Sequence, residues 1–242
     1  MCPLFFKIDI LNRMRKIIWL TAILLTGCAT QTTITPSNPS ENAMSIRYLA
    51  LGDSYTIGES VLENERFPNQ LGALLTKAGY PTEVKIIART GWTTSELWDG
   101  IQKDTVQPPY DLVSLLIGVN NQYRGYDSNE YREEFRFLLE KSIEYVGGDV
   151  NRVFVFSIPD WGVTPFASGQ DASKIASQID LFNSINREES EKANVHYVDI
   201  TPISRKALND SSLIAGDGLH PSGVMYGAWA ELAFPDVLNV LK

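Results

Sequence analysis

From residue 45 onward, short apolar runs alternate with longer segments whose apolar residues recur every three or four positions. The runs read as strands and the longer segments as helices. "SIRYLALG" (45–52) is the first run, closed by a glycine. "FPNQLGALLTKAG" (67–79) follows, with Leu71, Leu74, Leu75 and Ala78 on one helical face and Gly79 at its end. "TEVKIIA" (82–88) is a second strand, and "TSELWDGI" a short helix. "YDLVSLLIG" (110–118) is apolar nearly throughout, as a strand is when both faces are covered. The helix predicted over 128–146 has a serine cap and a stripe of Tyr131, Phe135, Leu138 or Leu139, Ser142 and Tyr145. A fourth strand (152–159) comes next, then a long helix (172–194) with Ile175, Ile179, Phe182 and Ile185 on one side. A fifth strand (195–200) precedes a closing helix over 221–234, with Pro221 in its first turn.

Five alternations of strand and helix predict one α/β domain over residues 45–242, with a mainly parallel sheet and right-handed crossovers. In such sheets chemistry gathers beyond the carboxyl ends of the strands. Gly52-Asp53-Ser54 follows the first strand and Arg89-Thr90-Gly91-Trp92-Thr93 the second. Gly118-Val119-Asn120-Asn121 follows the third, and Asp217-Gly218-Leu219-His220-Pro221 comes a short segment after the fifth. Together they supply a hydroxyl, a glycine turn with free N–H groups, a side-chain amide, an acid and an imidazole, the groups acyl transfer needs. Taken alone, Ser54 reads more readily as a turn residue, and His220 as a loop histidine with a capping role. His196 lies inside "VHYVDI" as a packed or solvated strand residue, which leaves His220 the better-placed base.

"GDSYTIG", "TGWTT", "GVNN" and "DGLHPSG", in that order, resemble blocks I, II, III and V of the GDSL/SGNH hydrolases, over nearly all of residues 45–242. The resemblance implies a three-layer α/β/α sandwich around a flavodoxin-like, five-stranded parallel sheet. It implies a serine esterase working through an acyl-enzyme, with Ser54 as nucleophile, His220 as general base and then acid, and Asp217 orienting the imidazole. The implied oxyanion hole is the Ser54 N–H, the Gly91 N–H and the Asn120 amide, and a side chain at position 91 would crowd the approach. Tyr55 stands where the family's name has Leu, and its role is open. Asn121 stands where block III often has Asp, a structural position. Asp53 reads as a turn carboxylate accepting backbone N–H groups. Trp92, Tyr123 and Trp161 flank the motifs, as pocket wall or as packing. Neither a metal-ligand cluster nor a phosphate-cradling glycine loop is visible, so no cofactor and no metal are implied. Small-molecule, glycan and lipid esters all stay open as substrates: short acyl esters, acetylated carbohydrate or lysophospholipid. An O-acyltransferase using the same triad, or a non-catalytic lipoprotein that binds glycans or lipids, are the alternatives.

Residues 1–44 differ in kind. Met14-Arg15-Lys16 is a basic start, and "IIWLTAILLTG" then runs apolar to Cys28. That run is too short to span a bilayer comfortably, and it has the form of a secretory signal. "LTGC" (25–28) resembles the lipobox of bacterial lipoproteins, which implies cleavage before Cys28 and a diacylglyceryl group on its thiol. Met14 reads as a better start than Met1. The only cysteines are Cys2 and Cys28, so the cleaved domain would rely on its core alone. Residues 28–44, rich in Thr, Ser, Pro and Asn, read as a flexible tether. The expectation is a signal over 1–27 and an exported, membrane-anchored lipoprotein. Ala29 in place of Asp would direct it to the outer membrane of a Gram-negative cell. Of the chain's 21 basic and 29 acidic groups, 17 and 28 fall after residue 27. A domain this acidic repels phosphate backbones, which argues against a nucleic-acid partner.

Overall fold

The computed structural model describes residues 45–242; the expected signal, Cys28 and the tether lie outside the described residues. β1 (Ile46–Gly52) leads into α1 (Ser54–Ile57) and α2 (Phe67–Lys77), and β2 (Thr82–Ala88) into α3 (Thr94–Lys103). β3 (Leu112–Leu116) is followed by α4 (Val119–Tyr123) and α5 (Ser128–Tyr145), and β4 (Val153–Phe156) by α6 (Ala172–Ala193). β5 (His196–Val198), α7 (Thr201–Arg205) and α8 (Gly223–Val240) complete the chain. The five strands form one wholly parallel sheet in the order β2-β1-β3-β4-β5, as expected for a flavodoxin-like arrangement.

That order dictates the layers. The step from β1 to β2 runs one way along the sheet, and the three later steps run the other way. With right-handed crossovers, α2 must cover one face and α3, α5 and α6 the opposite face. Observed packing agrees: α2 lies against α8, while α5 lies against both α3 and α6. Tyr48, Leu49, Ala50 and Leu51 of β1 and all of β3 are buried, the condition of strands covered on both sides. Phe67 of α2 meets Phe156 of β4 and Trp229 of α8 at ring distances of 4.9 and 6.1 Å. On the other face the rings of Tyr131 of α5 and Phe182 of α6 pack tilted, 4.5 Å apart.

Three boundaries depart from expectation in ways the packing explains. β4 stops at Phe156 although the predicted strand reaches 159, because the Ile158 N–H and carbonyl bond the Asn183 side chain in place of a neighbouring strand. Pro221 is not in the first turn of α8. It lies ahead of the cap, Ser222, whose hydroxyl accepts the Met225 N–H. The helix then runs through Pro235 to Val240, because Trp229, Ala230, Ala233 and Val237 keep one face fully buried. Among the described residues no helix is long and apolar enough to cross a membrane.

Candidate active site

Gly52 of β1 pairs with Ala88 of β2 and Leu116 of β3, so three loops leave the sheet from one row. A Cβ on Gly52 would lie 2.1 Å from Thr56 Oγ1 and 2.3 Å from the Leu116 carbonyl oxygen, so only glycine lets the chain turn this tightly into α1. Asp53 caps that turn. Its Oδ1 accepts the Tyr55 N–H at 3.0 Å, and its carbonyl accepts from Thr56 and Ile57. The Ser54 N–H is left without an acceptor among the described residues. Asp53 is thus a turn carboxylate, as read from the sequence, but it is fully buried and its Oδ2 has no partner. Burial pushes its carboxyl up to about 7, against the pull of the Tyr55 N–H.

The loop after β2 carries Gly91 at φ 88°, a left-handed conformation that favours glycine. Within the protein a Cβ there would meet only Arg124 Nη2, at an ordinary 3.8 Å, so the backbone conformation is what asks for glycine on the protein side. The Gly91 carbonyl accepts from Arg124, and its N–H has no acceptor among the described residues. After β3, Asn120 Nδ2 donates to the Trp92 carbonyl at 3.0 Å. That bond fixes the amide and leaves its second N–H free. Asn121 is buried, accepting the Thr94 N–H at 3.1 Å and donating to Thr94 Oγ1 at 2.7 Å, a tie between the two loops.

The loop before α8 folds around its own acid. Asp217 Oδ1 accepts the Leu219 and His220 N–H groups at 2.9 and 3.0 Å, and Oδ2 lies 2.6 Å from His220 Nδ1. Ser60 Oγ donates to the same Oδ2 at 2.6 Å. Partial burial opposes the charge on Asp217. The hydrogen bonds from Ser60, His220 and the two N–H groups outweigh it and hold the carboxyl well below the usual carboxylate range. An ionised acceptor beside Nδ1 selects the neutral tautomer with its proton on Nδ1, in which Nε2 carries the lone pair. The edge of Tyr55 packs against the imidazole, ring centroids 5.6 Å apart.

Ser54, Gly91, Asn120 and His220 line a single cleft of about 160 Å³. The loop after β4, to which no sequence motif assigns a role, closes it. Asp160 anchors this loop, receiving Arg205 Nε at 2.9 Å and capping Gly162, and Trp161 Nε1 donates to Gln122 Oε1 at 2.8 Å. Trp161, Tyr123 and Phe166 then form an aromatic wall, with ring centroids 5.4 to 6.4 Å apart.

A profile of the GDSL-like Lipase/Acylhydrolase family matches residues 50–228, most of the chain and every loop of this cleft. The chain belongs to that family. Membership makes it a serine ester hydrolase. No curated protein sequence matches this GDSL-family chain. Solved structures share its fold. TesA is 16% identical with a TM-score of 0.63, over 80% of this chain and 99% of that one. The psychrotrophic esterase EstA from Pseudoalteromonas sp. is also 16% identical with a TM-score of 0.63, over 81% and 98%. Axe2, an acetylxylan esterase from Geobacillus stearothermophilus, is 19% identical with a TM-score of 0.59, over 83% and 96%.

In the GDSL-family chain, all five residues expected at the site meet: Ser54, Gly91, Asn120 and His220 in the cleft, with Asp217 behind the imidazole. Tyr123 and Trp161 line the cleft, whereas the Trp92 ring lies against Gly100 of α3 and serves packing. His196 stacks on Phe154 at 4.3 Å, a strand residue as read. Sequence reasoning missed Phe166 and Ser60. Ser60 stands 157 positions from its partner, and no local pattern marks it. Among the described residues no group of three His, Cys, Asp or Glu side chains is placed to hold a metal ion.

Proposed function

We propose that the chain hydrolyses short-acyl carboxylic esters through an acyl-enzyme on Ser54. The observation that carries this reading is one cleft lined by Ser54, Gly91, Asn120 and His220, with His220 Nδ1 2.6 Å from Asp217. Ser54 Oγ bonds to the carbonyl carbon while its proton passes to His220 Nε2, and the carbonyl π electrons move to oxygen. The unpaired N–H groups of Ser54 and Gly91 and the free N–H of Asn120 receive that oxyanion. Collapse breaks the bond to the alcohol oxygen, which leaves with the proton from Nε2. Water, deprotonated by Nε2, adds to the acyl carbon, and a second collapse returns the proton to Ser54 Oγ and frees the acid. Ser54 Oγ and Nε2 are to be joined by substrate binding, since hydrogen bonds between catalytic groups often tighten only in the complex.

A cleft of about 160 Å³ behind an aromatic wall suits an acetyl to butyryl group better than a fatty chain. A p-nitrophenyl ester series from acetate to dodecanoate tests this. Turnover efficiency should be highest at the two- to four-carbon esters and fall steeply beyond them; a maximum at eight carbons or more would contradict the reading. On the sequence of residues 1–44, the enzyme is exported and held by a lipid on Cys28.

A further inference from the structure

A second groove lies across the aromatic wall from the cleft. Tyr123 and Trp161 line both. The rest of the second groove is mostly polar, with Gln170, Asp171, Lys174 and Gln178 around a Gln122 floor, and only Gly125 and the largely buried Ile175 besides. Asp171 caps α6, and residues 174 and 178 follow at helical spacing, so these side chains share one face. Gln122 is spent inside the protein, accepting from Trp161 Nε1 and donating to Gln178 Oε1 at 2.9 Å. That leaves the Gln178 amide N–H groups, the Gln170 amide, Asp171 Oδ2 and the Lys174 ammonium to the groove. Tyr123 is 55% exposed and offers an unburied aromatic face beside them.

The lining is too polar for an acyl chain. Its one carboxylate and one ammonium give no net charge to attract a phosphate. Amide donors and acceptors beside an exposed aromatic ring fit a neutral, polyhydroxylated ring, whose hydroxyls both donate and accept and whose C–H face stacks on the ring. Resting on the esterase reading above, we propose that this groove is the alcohol subsite and that it takes a sugar. The acyl group enters the small cleft, the ester bond crosses beside Tyr123 and Trp161, and the carbohydrate lies along the start of α6.

The test compares O-acetylated xylobiose, p-nitrophenyl acetate and lysophosphatidylcholine as substrates of the full domain and of the Gln170→Ala, Lys174→Ala double variant. Both substituted side chains are exposed and outside the acyl cleft. Loss of two groove hydrogen bonds should raise KM for the acetylated disaccharide about ten-fold. p-Nitrophenyl acetate kinetics should stay within about two-fold, which also reports intact folding. Equal kinetics of wild type and variant on the disaccharide would overturn the subsite and leave the esterase reading standing. So would a preference of the wild type for lysophosphatidylcholine over the disaccharide. Failure to turn over any of the three esters would overturn both.

Discussion

Ser60 occupies a left-handed backbone conformation, φ 66°, that side-chain-bearing residues rarely adopt. The strain is explicable by what the residue reaches: its hydroxyl donates to Asp217 Oδ2, the oxygen that also meets His220. Its neighbour Glu59 accepts from Thr90 Oγ1, next to Gly91. The loop behind α1 thereby ties Asp217 and the Gly91 loop to the element that carries Ser54. Ser60 is a positioning residue in this reading. Ser60→Ala should lower kcat about ten-fold, the worth of one hydrogen bond to a charged group, with KM little changed. Ser60→Asn, which tolerates φ > 0 and keeps a donor, should recover part of the loss. A rise in KM with unchanged kcat would contradict the role. The Asp217–His220 pair is legible in the sequence because the two residues are three apart in one loop. The Ser60 contact is not, because only the folded sheet brings positions 60 and 217 together.

At the scale of elements, α5 and α6 are joined by more than their apolar faces. Glu189 of α6, nearly buried, receives Arg132 and Arg136 of α5 at 2.7 and 2.9 Å, and Lys192 of its own helix. Burial opposes its charge, and the hydrogen bonds from Arg136, Lys192 and Arg132 outweigh it and hold the carboxyl down at about 2. A folded value below the ordinary 4.5 means that its stabilisation is complete above that pH and is lost as pH falls through about 2. Glu189→Gln should cost roughly 1.5–3 kcal/mol near neutrality. In urea titrations the gap to wild type should close between those two pH values; a constant gap would contradict the tie. Helices and strands are legible here because periodicity follows burial, as Tyr131, Phe135, Leu138 and Leu139 show. The end of β4 is hidden because the Asn183 side chain takes over the backbone bonds of Ile158, within the stretch predicted to be strand as far as 159. The end of α8 lies beyond the predicted 234 because a proline is disfavoured inside a helix, and only the burial of Val237 shows the helix running through Pro235.

At the scale of the molecule, parallel topology sets every strand's carboxyl end at one edge, and four sequence motifs mark that edge. This is why the site residues are legible in the amino-acid sequence. The β4 loop bears no such motif, so the wall it builds with Trp161 and Phe166 is visible only in the fold. In the proposed reading, residues 1–44 set where the enzyme works. If Cys28 is lipidated, the full chain should take up radiolabelled palmitate and fractionate with membranes, and Cys28→Ser should do neither; equal labelling of both would contradict the anchor. The proposed mechanism rests on Ser54. The full domain, treated with a fluorophosphonate and digested, should carry the adduct on the peptide containing Ser54, and Ser54→Ala should take no label and lose roughly 10⁵–10⁶-fold in ester turnover. An adduct on another residue, or turnover by Ser54→Ala near the wild-type rate, would contradict it.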